Sequence, residues 1–188
     1  MTGPLVQGPF VVWEGALTGA EVDAITAYGD RLIHQKAEIA AGREGIDDVR
    51  ITRLAWIEPN ADTTVFYDRI AEIVRQLNQR FYRFALTGLE NLQYTVYHGP
   101  EGGHYDWHID YGRQSARPRK ISLSIQLSDP ADYDGCELHF QVDSKPAIAP
   151  RTRGTVIAFP AFFLHRVTPV QRGVRKSLVV WATGPEFR

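Results

Sequence analysis

Hydrophobic positions in the first half of the chain recur at the spacing of amphipathic helices. Thr18 and Glu21 form a capping-box pattern, and the apolar residues that follow predict a helix from about 19 to 35. A second helical pattern begins after Pro59 and ends near Gly88; its apolar positions are Phe66, Ile70, Ile73, Val74, Leu77, Phe81 and Phe84. A short extended segment, 49–57, is expected between the two helices.

From residue 91 the pattern changes to alternating apolar and polar residues, which is typical of half-buried strands. The strand-like segments are 92–97, 121–128, 138–142, 155–159 and 176–181. Turn signals separate them. We therefore predict an α+β, mainly β fold, an antiparallel sandwich or double-stranded β-helix (jelly roll) with the N-terminal helices packed on one sheet. One domain is expected over 1–188, with helical support in 1–90 and the jelly-roll core in 91–188.

Composition narrows the class of protein. The net charge of −1 gives no general attraction for phosphate backbones, so we expect no nucleic-acid partner. Cys136 is the only cysteine of the sequence and cannot form an internal disulfide, and the N-terminal residues lack a signal-peptide pattern. No window approaches 18 uninterrupted apolar residues, so no membrane span is expected. These features together predict a cytoplasmic protein.

The segment GGHYDWHID contains two His-x-Asp triplets, His104/Asp106 and His108/Asp110. Residues two apart on a strand point to the same face, so either pair can grip one ion. A third ligand is offered by His165, which lies in an apolar run where an unpaired imidazole is costly to bury. Two imidazoles and one carboxylate on one side of a metal are typical of non-haem Fe(II) oxygenases, which favours iron over zinc.

Arg175 follows ten residues after His165 and opens the last predicted strand. Its guanidinium is a rigid fork that suits the distal end of a dicarboxylate. The alternative interpretation is a solvated arginine among Arg166, Arg172 and Lys176, and the spacing alone does not separate the two.

Residues 97–188 resemble the iron and 2-oxoglutarate dependent dioxygenases of the prolyl 4-hydroxylase type, which include the bacterial PKHD-type hydroxylases. The similar segments are YHGPEGGHYDWHID, RKISLSIQLSDPADYDGCELHF and RGTVIAFPAFFLHRVTPVQRGVRKSLVVW. In the family pattern a tyrosine precedes the His-x-Asp by three residues, which selects Tyr105, His108 and Asp110. The resemblance further places the distal metal ligand on His165, and it implies that Arg175 and Tyr97 bind 2-oxoglutarate.

The resemblance implies an enzyme that uses Fe(II), 2-oxoglutarate and O2, with ascorbate as reductant, and releases succinate and CO2. The expected reaction hydroxylates an aliphatic C–H of an amino acid, peptide or protein side chain. One alternative is oxidative demethylation of a nucleic-acid base, and another is a jelly roll that binds a metal or sugar without catalysis. Cys136 departs from the glycine usual in the family; we interpret it, like His139, as structural.

The substrate is expected to be a small molecule or a peptide, selected by loops at the barrel mouth. The candidate loops are 38–48 and 111–120, and the second carries four cations that suit an acidic group but also suit a solvated loop. Tyr105, Trp107 and Arg119 are the candidate substrate-binding residues.

Overall fold

The computed structural model describes residues 3–37, 49–111 and 118–186. The helices are α1 (Gly19–Asp30) and α2 (Thr64–Leu77). The strands are β1 (Leu5–Gln7), β2 (Phe10–Trp13), β3 (Gln35–Lys36), β4 (Arg50–Ile51), β5 (Arg53–Ile57), β6 (Gly88–Leu89), β7 (Leu92–His98), β8 (His104–His108), β9 (Arg119–Gln126), β10 (Tyr133–Gly135), β11 (Leu138–Phe140), β12 (Ala147–Ile148), β13 (Val156–Pro160), β14 (His165–Val167) and β15 (Val170–Thr183).

Two antiparallel sheets face each other. The main sheet has the strand order β1-β2-β13-β9-β15-β7-β5-β3, with β6 and β10 also pairing with β15. The smaller sheet has the order β12-β11-β14-β8-β4. Neighbouring strands in each sheet come from distant parts of the chain, as in a jelly roll. The predicted double-stranded β-helix is confirmed.

Both helices lie on the outer face of the main sheet. The capping box of α1 is formed, since Thr18 Oγ1 accepts from the backbone N–H of Glu21 while the Glu21 carboxylate accepts from the backbone N–H of Thr18. Helix α2 buries one stripe of apolar residues against the sheet: Phe66, Ile70, Ile73, Val74 and Leu77. The expected helix-on-sheet packing is therefore present.

Alternation along β15 decides what each face of the main sheet carries. Leu178 and Val180 face the helices and join their hydrophobic core. The opposite face of β15 lines a cavity between the two sheets, through Arg175, Ser177, Val179 and Trp181. The inner face of this strand is therefore partly polar, which is what a binding cavity requires.

Several predicted boundaries need correction. Helix α1 ends at Asp30 rather than 35, because Arg31 already caps it and the chain turns toward β3. The α-helical part of the second helix ends at Leu77, and one π-helical segment, Asn78–Tyr82, follows it. The helical structure therefore ends well before Gly88. Segment 1–90 supplies strands as well as helices, and β2 pairs directly with β13. Of the predicted recognition loops, 38–48 and 112–117 lie outside the described residues.

None of the helices in the described ranges is long and apolar enough to cross a membrane.

Candidate metal centre

Three ligand-type side chains converge between the two sheets. His108 ends β8, Asp110 follows two residues later, and His165 begins β14, directly opposite His108 in the antiparallel register. Asp110 Oδ1 lies 3.7 Å from His108 Nε2, and Asp110 Oδ2 lies 3.6 Å from His165 Nε2. The backbone N–H of Asp110 donates to the carbonyl of Ala161 at 2.8 Å and so ties the metal strand to the segment before β14.

Backbone carbonyls fix the tautomer of both histidines. His108 Nδ1 lies 2.7 Å from the carbonyl oxygen of Asp106, and His165 Nδ1 lies 2.9 Å from that of Phe163. A carbonyl only accepts, so Nδ1 carries the hydrogen on each ring and Nε2 presents its lone pair to the space shared with Asp110. Burial, and then the neighbouring His165, lower the pKa of His108, which keeps its ring neutral and able to ligate.

The spacing of these atoms fits a metal ion. Both Nε2–carboxylate distances are too long for a hydrogen bond, yet two donors about 2.1 Å from one ion can be up to about 4.2 Å apart. Within the described ranges, His108, Asp110 and His165 are the group whose ligand atoms all lie within 4.8 Å of one another. Two imidazoles and one carboxylate leave further coordination positions open, a donor set that suits Fe(II).

A local irregularity in β8 selects between the two His-x-Asp triplets. The pairing of β8 with β14 shifts register between His165 and Val167, so both Tyr105 and His108 point inward although they are three residues apart. Their rings stack with centroids 3.4 Å apart. Asp106 is exposed, and the Nδ1 of His104 lies 2.9 Å from the carbonyl of Gly102. The structure therefore brings His108 and Asp110, not His104 and Asp106, to His165.

Arg175 lies at the buried end of the cavity, which measures about 180 Å³. Its side chain is 1% exposed, and its Nε and Nη2 both donate to Gln126 Oε1, at 3.2 and 2.9 Å. Tyr97 lies opposite Arg175 in the β7–β15 register, with its ring centroid 5.6 Å from the guanidinium carbon. Burial raises the pKa of Tyr97 to about 12, so its hydroxyl remains a neutral donor. This buried position contradicts the alternative interpretation, in which Arg175 is a solvent-exposed arginine.

Arg119 and Trp181 form one wall of the same cavity. Arg119 donates through Nε and Nη2 to the two carboxylate oxygens of Glu90, at 2.9 and 2.6 Å, and its guanidinium carbon lies 3.6 Å from the Trp181 ring centroid. Glu90 therefore engages Arg119 on the edge that a substrate carboxylate would use. Trp107, by contrast, is not among the cavity-lining residues and packs against Arg166, 4.7 Å from its guanidinium carbon.

Two groups near Asp110, Trp181 and Ser122, were not predicted from the sequence. Burial raises the pKa of this carboxyl, but the two histidines, Trp181 and Ser122 outweigh that effect and lower it. Trp181 Nε1 and Ser122 Oγ are buried, and neither makes a hydrogen bond of normal geometry within the described chain. Trp181 is six residues after Arg175 on one strand, so the period of two would have placed both in the cavity.

Cys136 and His139 occupy positions consistent with the structural roles expected of them. Cys136 is buried beside Arg175, and burial raises the pKa of its thiol. Its φ of 52° is in the left-handed region, which glycine adopts more easily than other residues, and this explains the glycine usual in the family at this position. His139 Nε2 lies 2.9 Å from the Glu137 carboxylate, away from the three converging ligands.

A jelly roll with this ligand group defines a class of metal-binding protein, and sequence comparison gives the family. The profile of the 2OG-Fe(II) oxygenase superfamily matches residues 92–183. A PKHD-type hydroxylase of Paraburkholderia xenovorans is 31% identical over 167 residues, 85% of this chain and 70% of that protein. The chain therefore belongs to the 2OG-Fe(II) oxygenase superfamily. The family prediction is confirmed, and with it Fe(II), 2-oxoglutarate and O2 as the cofactor set of the family.

Other relatives match over a shorter region. A PKHD-type hydroxylase of Teredinibacter turnerae is 37% identical over 86 residues, and the chain spans 38% of its length. Among solved structures, a Pseudomonas putida prolyl-4-hydroxylase has a TM-score of 0.77 at 20% identity, over 96% of this chain and 95% of that one. A Trichoplax adhaerens prolyl hydroxylase, in complex with a peptide fragment of hypoxia inducible factor, has a TM-score of 0.75 at 17% identity, over 94% and 84%. These two likenesses establish the fold.

Proposed function

We propose that the chain is an Fe(II)- and 2-oxoglutarate-dependent dioxygenase that hydroxylates an aliphatic C–H of an amino acid, peptide or protein side chain. The observation that carries the proposal is the convergence of His108 Nε2, His165 Nε2 and the Asp110 carboxylate in a cavity that buried Arg175 also lines. Names of relatives support the reaction class, since those matched in sequence are PKHD-type hydroxylases.

The proposal assigns a role to the three metal ligands, to Arg175 and Tyr97, and to the apolar walls of the cavity. His108, Asp110 and His165 hold Fe(II), which when bound supplies the activation of O2 that converts 2-oxoglutarate to succinate and CO2. Arg175 pairs with the distal carboxylate of 2-oxoglutarate because its guanidinium is buried and Gln126 orients it without neutralising its charge. Tyr97 donates its hydroxyl hydrogen to the co-substrate. Apolar walls, including Phe159 and Val179, exclude water from the reacting centre.

The substrate we propose is a small molecule or a peptide. One of the structural neighbours holds a peptide fragment, and Tyr105, stacked on His108, is the cavity residue best placed to contact a substrate carbon near the metal. We further propose that residues 1–188 act as one catalytic domain in the cytoplasm, with ascorbate as the reductant that maintains Fe(II).

The proposal is tested by incubating the Fe(II)-loaded chain with 2-oxoglutarate, ascorbate and ¹⁸O₂ in the presence of amino acids, proline-containing peptides or methylated bases. We expect succinate formation and a product heavier by one ¹⁸O atom among the amino acids or peptides. Loss of a methyl group from a base would favour the demethylase alternative. Metal binding with no succinate under any condition would favour a jelly roll without catalysis.

A further inference from the structure

Arg50 lies beside the metal centre and outside the motifs of residues 97–188 that carry the family resemblance. It begins β4, pairs with Tyr105 of β8, and lines the same cavity as the metal ligands. Its guanidinium carbon lies 4.5 Å from the Tyr105 ring centroid. The Tyr105 ring is in turn stacked on the His108 ring, with centroids 3.4 Å apart. Arg50 is therefore one aromatic ring away from a metal ligand.

The guanidinium of Arg50 is oriented but not neutralised. Its Nη2 donates to Gln93 Oε1 at 3.2 Å, whereas its Nε is buried without a hydrogen-bond partner in the described chain. No carboxylate of the described ranges forms an ion pair with Arg50. Arg175 is held in the same manner, by the amide oxygen of Gln126. A neutral amide fixes the orientation of each arginine and leaves its full charge for an anionic ligand.

The charges that line the cavity are unbalanced without a second anion. Its positive side chains are Arg50, Arg119 and Arg175, and Asp110 is the one carboxylate among the described lining residues. Glu90 neutralises Arg119 through their two-point ion pair. Fe(II) and 2-oxoglutarate carry equal and opposite charges, so Asp110 offsets one of the two remaining arginines and leaves a positive charge. Such a charge in a poorly hydrated site favours binding of a further anion.

We propose that Arg50 binds a carboxylate of the primary substrate, and therefore that the substrate is a carboxylic acid such as an N-acyl or free amino acid or a peptide C-terminus. The inference rests on the proposed function and deepens it. With its carboxylate on Arg50, the acid would lie against Tyr105, with its carbon chain directed toward the metal.

The test measures binding to the full chain loaded with Mn(II) and 2-oxoglutarate, without turnover. Calorimetric titrations use matched probes, the N-acetyl derivatives of proline, leucine, lysine and histidine and their carboxamides, so that members of a pair differ only in the carboxylate. We expect at least one acid to bind tenfold or more tightly than its amide. In Arg50→Gln the ratio should fall to near one, and in Arg50→Lys an intermediate ratio should remain. Arg53→Gln, whose residue is paired with Glu101, is the neighbouring control and should keep the wild-type ratio.

Three results would overturn the proposal. These are equal binding of every acid and its amide, a preference that survives in both Arg50 variants, or a tenfold loss of 2-oxoglutarate affinity in Arg50→Gln, which would assign Arg50 to the co-substrate. Failure of the broader function is distinguishable, since the wild-type chain would then bind no 2-oxoglutarate in the presence of Mn(II). If Arg50→Gln does not fold, as judged by circular dichroism, Arg50→Lys and the wild-type acid-to-amide ratio still decide the question.

Discussion

His165 Nε2 lies 3.6 Å from Asp110 Oδ2, although the two residues belong to different segments of the jelly roll. The contact is possible because β14 pairs with β8 and because the backbone of Asp110 is hydrogen bonded to Ala161. The metal centre is therefore assembled by pairing of the smaller sheet, and its geometry depends on what holds the Asp110 carboxylate.

We infer that Trp181 orients that carboxylate. Its buried Nε1–H makes no hydrogen bond of normal geometry in the described chain, yet Trp181 contributes to the lowered pKa of Asp110. We expect Trp181→Phe, which keeps the ring and removes the donor, to weaken Co(II) binding about tenfold, the effect typical of groups behind a metal ligand. Equilibrium titration of Co(II) absorption measures it. Trp56→Phe, at the more exposed side of the cavity, is the control and should bind Co(II) normally; equal losses in both variants would contradict the assignment.

Arg175 should matter for 2-oxoglutarate and not for the metal. Replacing it with methionine removes a charged, partly desolvated contact and should reduce the binding free energy of 2-oxoglutarate by about 2 to 5 kcal/mol. Calorimetry on the Mn(II)-loaded chain measures this. Arg172→Met is the matched control, because Arg172 lies on the same strand but is exposed and paired with Asp134 at 2.7 Å. Unchanged 2-oxoglutarate affinity in Arg175→Met would exclude Arg175 as the anchor.

Gly173 lies near the start of β15, the strand that carries Arg175, in a backbone conformation that favours glycine. Its φ is +77°, and an added Cβ would overlap the carbonyl oxygen of Asp132. We expect Gly173→Ala to lower the free energy of unfolding by about 2 to 4 kcal/mol, from left-handed strain and steric overlap combined. Gly88→Ala, where a Cβ meets open space, should change it by less than about 1 kcal/mol. Urea denaturation of both variants checks the difference, and equal stabilities would contradict it.

Asp30 connects helix α1 to β15 and should contribute acid-dependent stability. Burial raises its pKa, but hydrogen bonds from Lys176 and Tyr94 outweigh this and lower the pKa below the usual 3.8. The stabilisation is therefore complete above pH 3.8 and is lost as the pH falls through the lower, folded-state pKa. Asp30→Asn should be less stable than wild type near neutrality, and the gap should shrink in acid.

Thermal unfolding at a series of pH values measures that gap. The exposed Asp62→Asn variant serves as the control and should track the wild type throughout. A gap for Asp30→Asn that is constant down to pH 2 would mean that the ionised carboxylate is not what stabilises the contact.

The features predicted correctly from the sequence are those that local periodicity determines. The apolar stripe of α2 is buried as predicted. The apolar members of the alternating strands β7, β9 and β15 are buried as well, but polar members such as Thr95 and Ser122 are also buried, so these strands are more deeply buried than the predicted half-buried strands. The family resemblance selected His108, Asp110 and His165, which the fold brings together.

What could not be predicted depends on pairing between distant segments. The Arg119–Glu90 pair joins the start of β9 to the segment between β6 and β7, so nothing in the sequence indicated that Arg119 is paired. The position of Trp107 follows from a bulge that breaks the period of two, and a bulge leaves no signature in this segment. Arg50 lies outside residues 97–188, whose motifs carry the resemblance, and reaches the cavity because β4 pairs with β8.

The most direct test of the account is anaerobic Fe(II) titration of the full chain and of variants at the two His-x-Asp triplets. We predict that wild type, His104→Ala and Asp106→Ala bind one Fe(II) per chain, while His108→Ala, Asp110→Ala and His165→Ala lose affinity by more than about 100-fold, since each removes one of three ligands rather than a group behind one. Circular dichroism of each variant verifies the fold. Retention of Fe(II) by His108→Ala together with its loss in His104→Ala would contradict the proposed metal centre.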